Sequence, residues 1–225
     1  MINQVIRIET EEAAPLARQY FIKICGFHRE GEKYAKMLSD GLSVREKISE
    51  KININAVVSA FGGEVISGDC AEAGGVTFVC NAFSRIKKNN IRRVYAYLLT
   101  AGIYKLEENA PIMDQLYADI WGTSFVDAGL EVLKKRLAGE SAYEAFGPGF
   151  YGMDVDQIKK FFELLDGKKI GMEVRESCLM LPLKSCAGFL IVVRDKSDLP
   201  DSDCFNCKAG RKGCEFCHSV IRKAL

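Results

Sequence analysis

The sequence predicts an α+β protein. Three observations carry this: segments rich in Val, Phe and Tyr bounded by glycines or polar clusters, a long stretch with apolar residues at every third or fourth position, and a chain of 225 residues that is 48% hydrophobic. The first pattern is that of strands and the second that of an amphipathic helix. The third allows a sizeable core without help from disulfides.

The first element is a helix: residues 11–27 carry Leu16, Tyr20, Phe21 and Ile24 at helical spacing, and Gly26 lies where a helix can stop. Residues 30–51 are charged, with Tyr34, Met37, Leu38, Leu42, Val44 and Ile48 interspersed. They read as two short helices broken around Gly41 and Ser43, with the charges on a solvated face. Segments 55–61, 76–81 and 92–99 are strands expected to share one sheet. From 106 to 137 the apolar residues Ile112, Leu116, Ile120, Val126, Leu130, Leu133 and Leu137 predict one long helix, or two in tandem kinked at Gly122. Residues 139–152 form a glycine-rich, aromatic loop that enters a short helix at 155–165, with Asp154 as its cap. Segments 173–180 and 187–193 are two more strands, joined through Pro182, Lys184 and Ser185 into an antiparallel hairpin. Beyond Val193 the chain turns polar and thiol-rich, so a main unit of residues 1–194 is followed by a linker and tail, 195–225.

Bulk properties exclude several classes of function. Lys and Arg number 31 against 30 Asp and Glu, a formal charge of +1, so nothing global draws the chain to nucleic acid or to an anionic membrane. No apolar run reaches the roughly 18–20 residues that cross a bilayer. The start of the chain lacks the basic-then-apolar pattern of an export signal, and a soluble, cytoplasmic protein is expected.

Gly147-Pro148-Gly149 sets a φ-locked residue between two permissive ones, a turn that lets a ligand approach the backbone, and Phe150 and Tyr151 add flat surfaces. A turn of this kind alone is most often a plain connector. It gains weight from the residues C-terminal to it: the 155–165 helix, Gly167-Lys168-Lys169-Ile170-Gly171, then Glu176-Ser177-Cys178-Leu179-Met180-Leu181-Pro182-Leu183-Lys184-Ser185. In order and approximate spacing, residues 147–189 resemble the reactivation domain of cobalamin-dependent methionine synthase. The similarity continues more weakly back through residues 95–137.

The resemblance implies a curved antiparallel sheet flanked by helices, and a groove where S-adenosylmethionine meets the corrinoid of a partner. It implies ligand contacts from Gly147, Gly149 and Phe150, with Tyr151 beside them and Phe150 standing where the family has tyrosine. Asp127 corresponds to the acidic helix residue that pairs with the ligand's ammonium group, a strong charge-assisted contact. Glu176, Ser177 and Ser185 belong to the matching arm. Ala145 stands where the family has an arginine, whose paired donors alanine cannot replace; either another base such as Lys184 serves instead, or S-adenosylmethionine is no longer bound well. The cobalamin would come from a corrinoid-dependent methyltransferase, and the source of electrons is left open. No residue is assigned a catalytic role, because the task is one of positioning. Read without the resemblance, Asp127 is a solvated helix residue, Met180 core filler, and Cys178 and Cys186 small buried groups.

Four of the nine cysteines crowd the tail as Cys204-x-x-Cys207 and Cys214-x-x-Cys217. Two chelating pairs let four thiolates converge on one ion, and Lys208, Arg211 and Lys212 between them offset its charge. Zinc is favoured, an iron–sulfur cluster fits the same atoms, and His218 can replace Cys217 as a ligand. Two functions remain open. One is an accessory protein for reductive remethylation of a corrinoid enzyme. The other is a non-catalytic module that binds a corrinoid protein or passes electrons.

Overall fold

The computed structural model of the chain describes residues 2–199. The tail cysteines Cys204, Cys207, Cys214 and Cys217 lie outside them. The elements are β1 (Gln4–Ile8), α1 (Thr10–Cys25), α2 (Glu32–Lys47), β2 (Ile52–Phe61), β3 (Ile66–Ser67), β4 (Cys70–Ala73), β5 (Val76–Val79), β6 (Ile91–Gly102), α3 (Ile112–Ala138), β7 (Ala142–Phe146), α4 (Ile158–Leu164), β8 (Glu173–Val174), β9 (Met180–Leu181) and β10 (Ser185–Val193).

The main sheet has five antiparallel strands in the order β1-β2-β6-β10-β7. Its middle strands are apolar at nearly every position because both faces are covered. On one face Ile54, Ala56, Val58, Tyr97, Leu99, Leu190 and Val192 pack under α1, α2 and α3. On the other, Val57, Leu98, Phe189 and Ile191 pack under α4 and a small sheet of order β3-β4-β5. Helix α3 spans the first face and buries Tyr117, Trp121, Phe125, Ala128 and Val132, residues three or four apart. Phe21 of α1 stacks on Trp121 with ring centroids 4.1 Å apart and planes 6° apart.

The structure corrects several expectations. The fold is mixed α/β, and its sheets are neither closed nor curled into the curved sheet that the resemblance implied. The main sheet is open, with β1 and β7 as its two edges. Strand β5, expected in that sheet, pairs with β4 instead and covers a face of it, Phe78 meeting Phe189 at 4.8 Å. The expected hairpin of 173–180 with 187–193 does not form: β8 pairs with β9 over two residues, and β10 lies between β6 and β7. Such a long apolar strand gains more from two neighbours in the main sheet than from one short arm.

Residues 32–47 are one helix because Gly41 is an approach point and not a break. A Cβ there would stand 2.5 Å from Phe21 Cζ, and the Gly41 carbonyl accepts the Trp121 indole N–H at 2.8 Å. Likewise α3 continues through Gly122, where a Cβ would meet Lys184 Cγ at 2.8 Å and Tyr104 at 2.9 Å. Strand β7 lies inside the segment expected to be all loop. Asp154 precedes the 155–157 turn of 3-10 helix without a capping bond from its side chain.

Candidate functional site

The Gly147 turn continues β7, whose last residue, Phe146, pairs with Phe189 of β10. Gly147 presses on β10: a Cβ would stand 2.8 Å from the Ala187 carbonyl oxygen and 3.9 Å from Gly188 Cα. The turn is closed by its own backbone. Phe150 N–H donates to Gly147 O at 3.0 Å, Gly149 N–H to Met153 O at 2.8 Å, and Met153 N–H to Phe150 O at 2.9 Å. Gly149 needs its glycine, with φ of +88°. The two aromatic residues part company. Tyr151 is buried, its ring 4.8 Å from that of Phe146, and its carbonyl accepts the Cys80 thiol at 3.4 Å. Phe150 is 50% exposed and is the ring the turn presents to solvent.

Asp127 lies on the exposed side of α3. Desolvation first, and then the charge of its carboxylate, push the Cys186 thiol at the start of β10 up to about 12. Its field also reaches Tyr20 of α1, raised to about 12 by burial and then by Glu131 and Asp127. Lys184, one residue before β10, lies along α3: its Nζ is 2.8 Å from Asp119 Oδ1 and donates to Thr123 Oγ1 at 3.1 Å. The expected substitute for the family arginine is therefore engaged. Ser185 opens β10 opposite Thr100 and donates to Pro182 O at 2.7 Å.

Residues 184–188 are thus the meeting place. Lys184 and Cys186 border α3, and the backbone of Ala187 and Gly188 borders the Gly147 turn. Glu176 and Ser177 are exposed at the tip of the β8–β9 hairpin, where the neighbouring Cys178 approaches the Asp156 carbonyl at 4.0 Å. Strand β8 lies against α4 and β9 against β10, so the arm meets the rest of the molecule through its strands and holds these two side chains in solvent.

Sequence reading alone does not find Tyr97 and Gly188, which are paired across β6 and β10, Tyr97 on the face that α3 covers. A Cβ on Gly188 would be 2.8 Å from the Tyr97 hydroxyl and 2.5 Å from the Phe146 carbonyl oxygen. A glycine inside an apolar strand is the available signal, since it marks close approach of another group. Two open clefts lie elsewhere. One, of about 730 Å³, is lined by Arg92, Glu140, Arg194 and Lys196, at the opposite end of β7 from Gly147. The other, of about 300 Å³, lies between α2 and the start of α3 at Met37, Lys47 and Tyr117. Both are open to solvent, and neither holds the residues of the turn. Among the described residues no group of three His, Cys, Asp or Glu is placed to hold a metal ion, and no helix is long and apolar enough to cross a membrane.

No protein-family model and no curated protein matches the chain. Its fold is similar to the crystal structure of the MetH reactivation domain bound to AdoHcy, with a TM-score of 0.62 and 14% identity, over 85% of this chain and 78% of that one. The likeness establishes a shared fold.

Proposed function

We propose that this chain binds S-adenosylmethionine between the Gly147 turn, Asp127 and the start of β10, and presents it to a corrinoid-dependent methyltransferase for reductive reactivation. The observation that supports this most is the close packing of the Gly147 turn on Ala187 and Gly188 of β10, within a fold shared with an AdoHcy-bound reactivation domain. In the reaction, a one-electron reductant of low potential takes the partner's cobalt(II) to cobalt(I). The cobalt then attacks the sulfonium methyl carbon: a Co–C bond forms, the C–S bond breaks, and the thioether AdoHcy leaves with the sulfur's electron pair. This chain's part is placement. The Gly147 turn limits where the nucleoside can lie, Phe150 offers it an apolar surface, and the Asp127 carboxylate attracts its ammonium end.

The tail pairs Cys204/Cys207 and Cys214/Cys217 would hold zinc or an iron–sulfur cluster; a cluster would make the tail a carrier of the electron. Calorimetric titration of the full chain with S-adenosylmethionine tests the binding. Appearance of methylcobalt on mixing with a corrinoid protein and a reductant tests the reaction. Saturable binding and methyl transfer are expected; no heat of binding at millimolar ligand removes the proposal.

A second reading is a module that binds a corrinoid protein without using S-adenosylmethionine. Ala145 and the engagement of Lys184 with Asp119 favour it, since neither offers the ligand carboxylate a ready cation. Capture of a corrinoid protein unaffected by S-adenosylmethionine, with no titration heat, would select this reading.

A further inference from the structure

We propose that the cleft at the start of β7 is a second binding site, for a small phosphomonoester that also carries a hydroxyl group, with Arg92, Arg194 and Lys196 holding the phosphate and Glu140 the hydroxyl. It lies at the other end of β7 from the Gly147 turn and does not depend on what that turn binds.

Three strands of the main sheet meet here. Arg92 lies at the start of β6, Arg194 directly follows β10, and Glu140 and Ser141 lead into β7. The register sets Val193 of β10 beside Ile91 on one side and Ala142 on the other, so the three segments gather around one open cleft of about 730 Å³. A concave space of that size suits a small ligand better than the broad face of another protein.

The cations that line the cleft are held in place without being neutralised. Arg92 Nη1 donates to Ser141 Oγ at 2.8 Å. Arg194 Nη1 donates to the carbonyls of Asn89 and Ile91 at 2.7 and 2.9 Å, and its backbone N–H is fastened to Asn90 O and Oδ1 at 2.9 and 3.1 Å. Both guanidinium groups thus spend one nitrogen on neutral oxygens. Among the described residues their Nε and Nη2 atoms bond nothing, and that edge is the one that meets an oxyanion in two parallel bonds. Arg92, Arg194 and Lys196 take part in no ion pair among those residues. Lys87, at the same end of the sheet, is by contrast paired with Asp198 at 3.1 Å.

Two carboxylates share the cleft and narrow the choice of ligand. Asp195 Oδ1 accepts the Ser197 N–H at 3.0 Å, whereas the Glu140 side chain bonds nothing among the described residues. Three positive groups against two negative ones leave positive charge in excess. A monocarboxylate would fill one guanidinium fork, while a dianionic phosphate can meet both forks and the Lys196 ammonium. Glu140 repels a ligand that is anionic throughout and accepts a hydrogen bond from a hydroxyl beside the phosphate.

The test is calorimetry of the full chain with ribose 5-phosphate, inorganic phosphate and ribose, in salt of about 0.15 M so that loose surface attraction is screened. Saturable binding of ribose 5-phosphate with Kd near or below about 1 mM is expected, inorganic phosphate weaker, and no heat from ribose. Arg92→Met should weaken ribose 5-phosphate on the order of 10-fold, and Lys196→Met roughly 3-fold. Because the Lys196 ammonium bonds nothing among the described residues, the second variant probes the site without disturbing the fold. Glu140→Ala should abolish the preference for ribose 5-phosphate over inorganic phosphate, and Lys36→Met, on exposed α2 surface, should change nothing. S-adenosylmethionine should leave the affinity as it is, so failure here and failure at the Gly147 turn are read separately. No saturable binding of ribose 5-phosphate, or equal affinity in the unaltered chain, Arg92→Met and Lys196→Met, would overturn the proposal. Sedimentation with phosphatidate vesicles, or binding of polyglutamate, with no binding of ribose 5-phosphate would overturn it in favour of a membrane headgroup or an acidic protein.

Discussion

Gln157 grips both polar groups of the Val79 backbone: its Oε1 accepts the Val79 N–H at 2.7 Å and its Nε2 donates to the Val79 carbonyl at 2.7 Å. This pair ties the segment leading out of the Gly147 turn to the free edge of the β3-β4-β5 sheet. Gln157→Leu keeps the volume and strands a donor and an acceptor, so a loss of about 1–3 kcal/mol is expected in urea denaturation. A loss below a few tenths would show that water replaces both bonds.

Gly41→Ala is expected to destabilise the fold by about 1–3 kcal/mol, because the new methyl would press on Phe21, which is stacked against Trp121. An ordinary helix glycine would respond in the opposite direction, since alanine is the better helix former. The sign of the change in denaturant midpoint decides between the two.

Stability is expected to be level through neutral pH and to fall above about pH 9. Burial raises the Cys25 and Cys80 thiols from 9.0 to about 11, and burial with the Asp127 carboxylate raises Cys186 to about 12. Between the unfolded and folded values the unfolded chain has released protons that the folded chain keeps, so rising pH favours unfolding. Urea midpoints from pH 7 to 11 check this, and a midpoint rising over pH 9–11 would contradict it. Alkylation at pH 8 should likewise spare Cys80 and Cys186 in the native state.

Asp127→Asn is expected to weaken S-adenosylmethionine binding by roughly 10-fold, the cost of turning a charge-assisted contact into a neutral one. Lys184→Met should change it less, because that ammonium is held by Asp119 and Thr123. Calorimetry on the two variants gives the order. Reversal would mean that Lys184 leaves α3 when ligand enters.

The long helix, the first helix and the cores of β2, β6 and β10 are legible in the sequence because each obeys one pattern over many residues. The remainder stays hidden for physical reasons. Gly41 and Gly122 look like breaks in sequence, but their missing side chains admit Phe21 and Tyr104, a fact of packing that no local pattern carries. Strand β7 is five residues of mostly half-buried edge, AYEAF, with no clear alternation of polarity. The pairing of β10 depends on partners far away in sequence, whereas local pattern points to the nearer segment, 173–180, which is the wrong one. At the candidate site the Gly147 turn stands out by composition, whereas Tyr97 is one of several tyrosines until its neighbour across the sheet proves to be glycine.

Strand β10 has its full-length neighbour in β6, which in turn leans on β2. A fragment beginning at Ala142, cut to isolate the Gly147 turn and the residues after it, would leave β10 paired with β7 alone in the main sheet. Its apolar residues would then be sticky in water, and such a fragment would aggregate before it could be assayed. Dissection of this protein therefore has to proceed by point substitution within the whole chain.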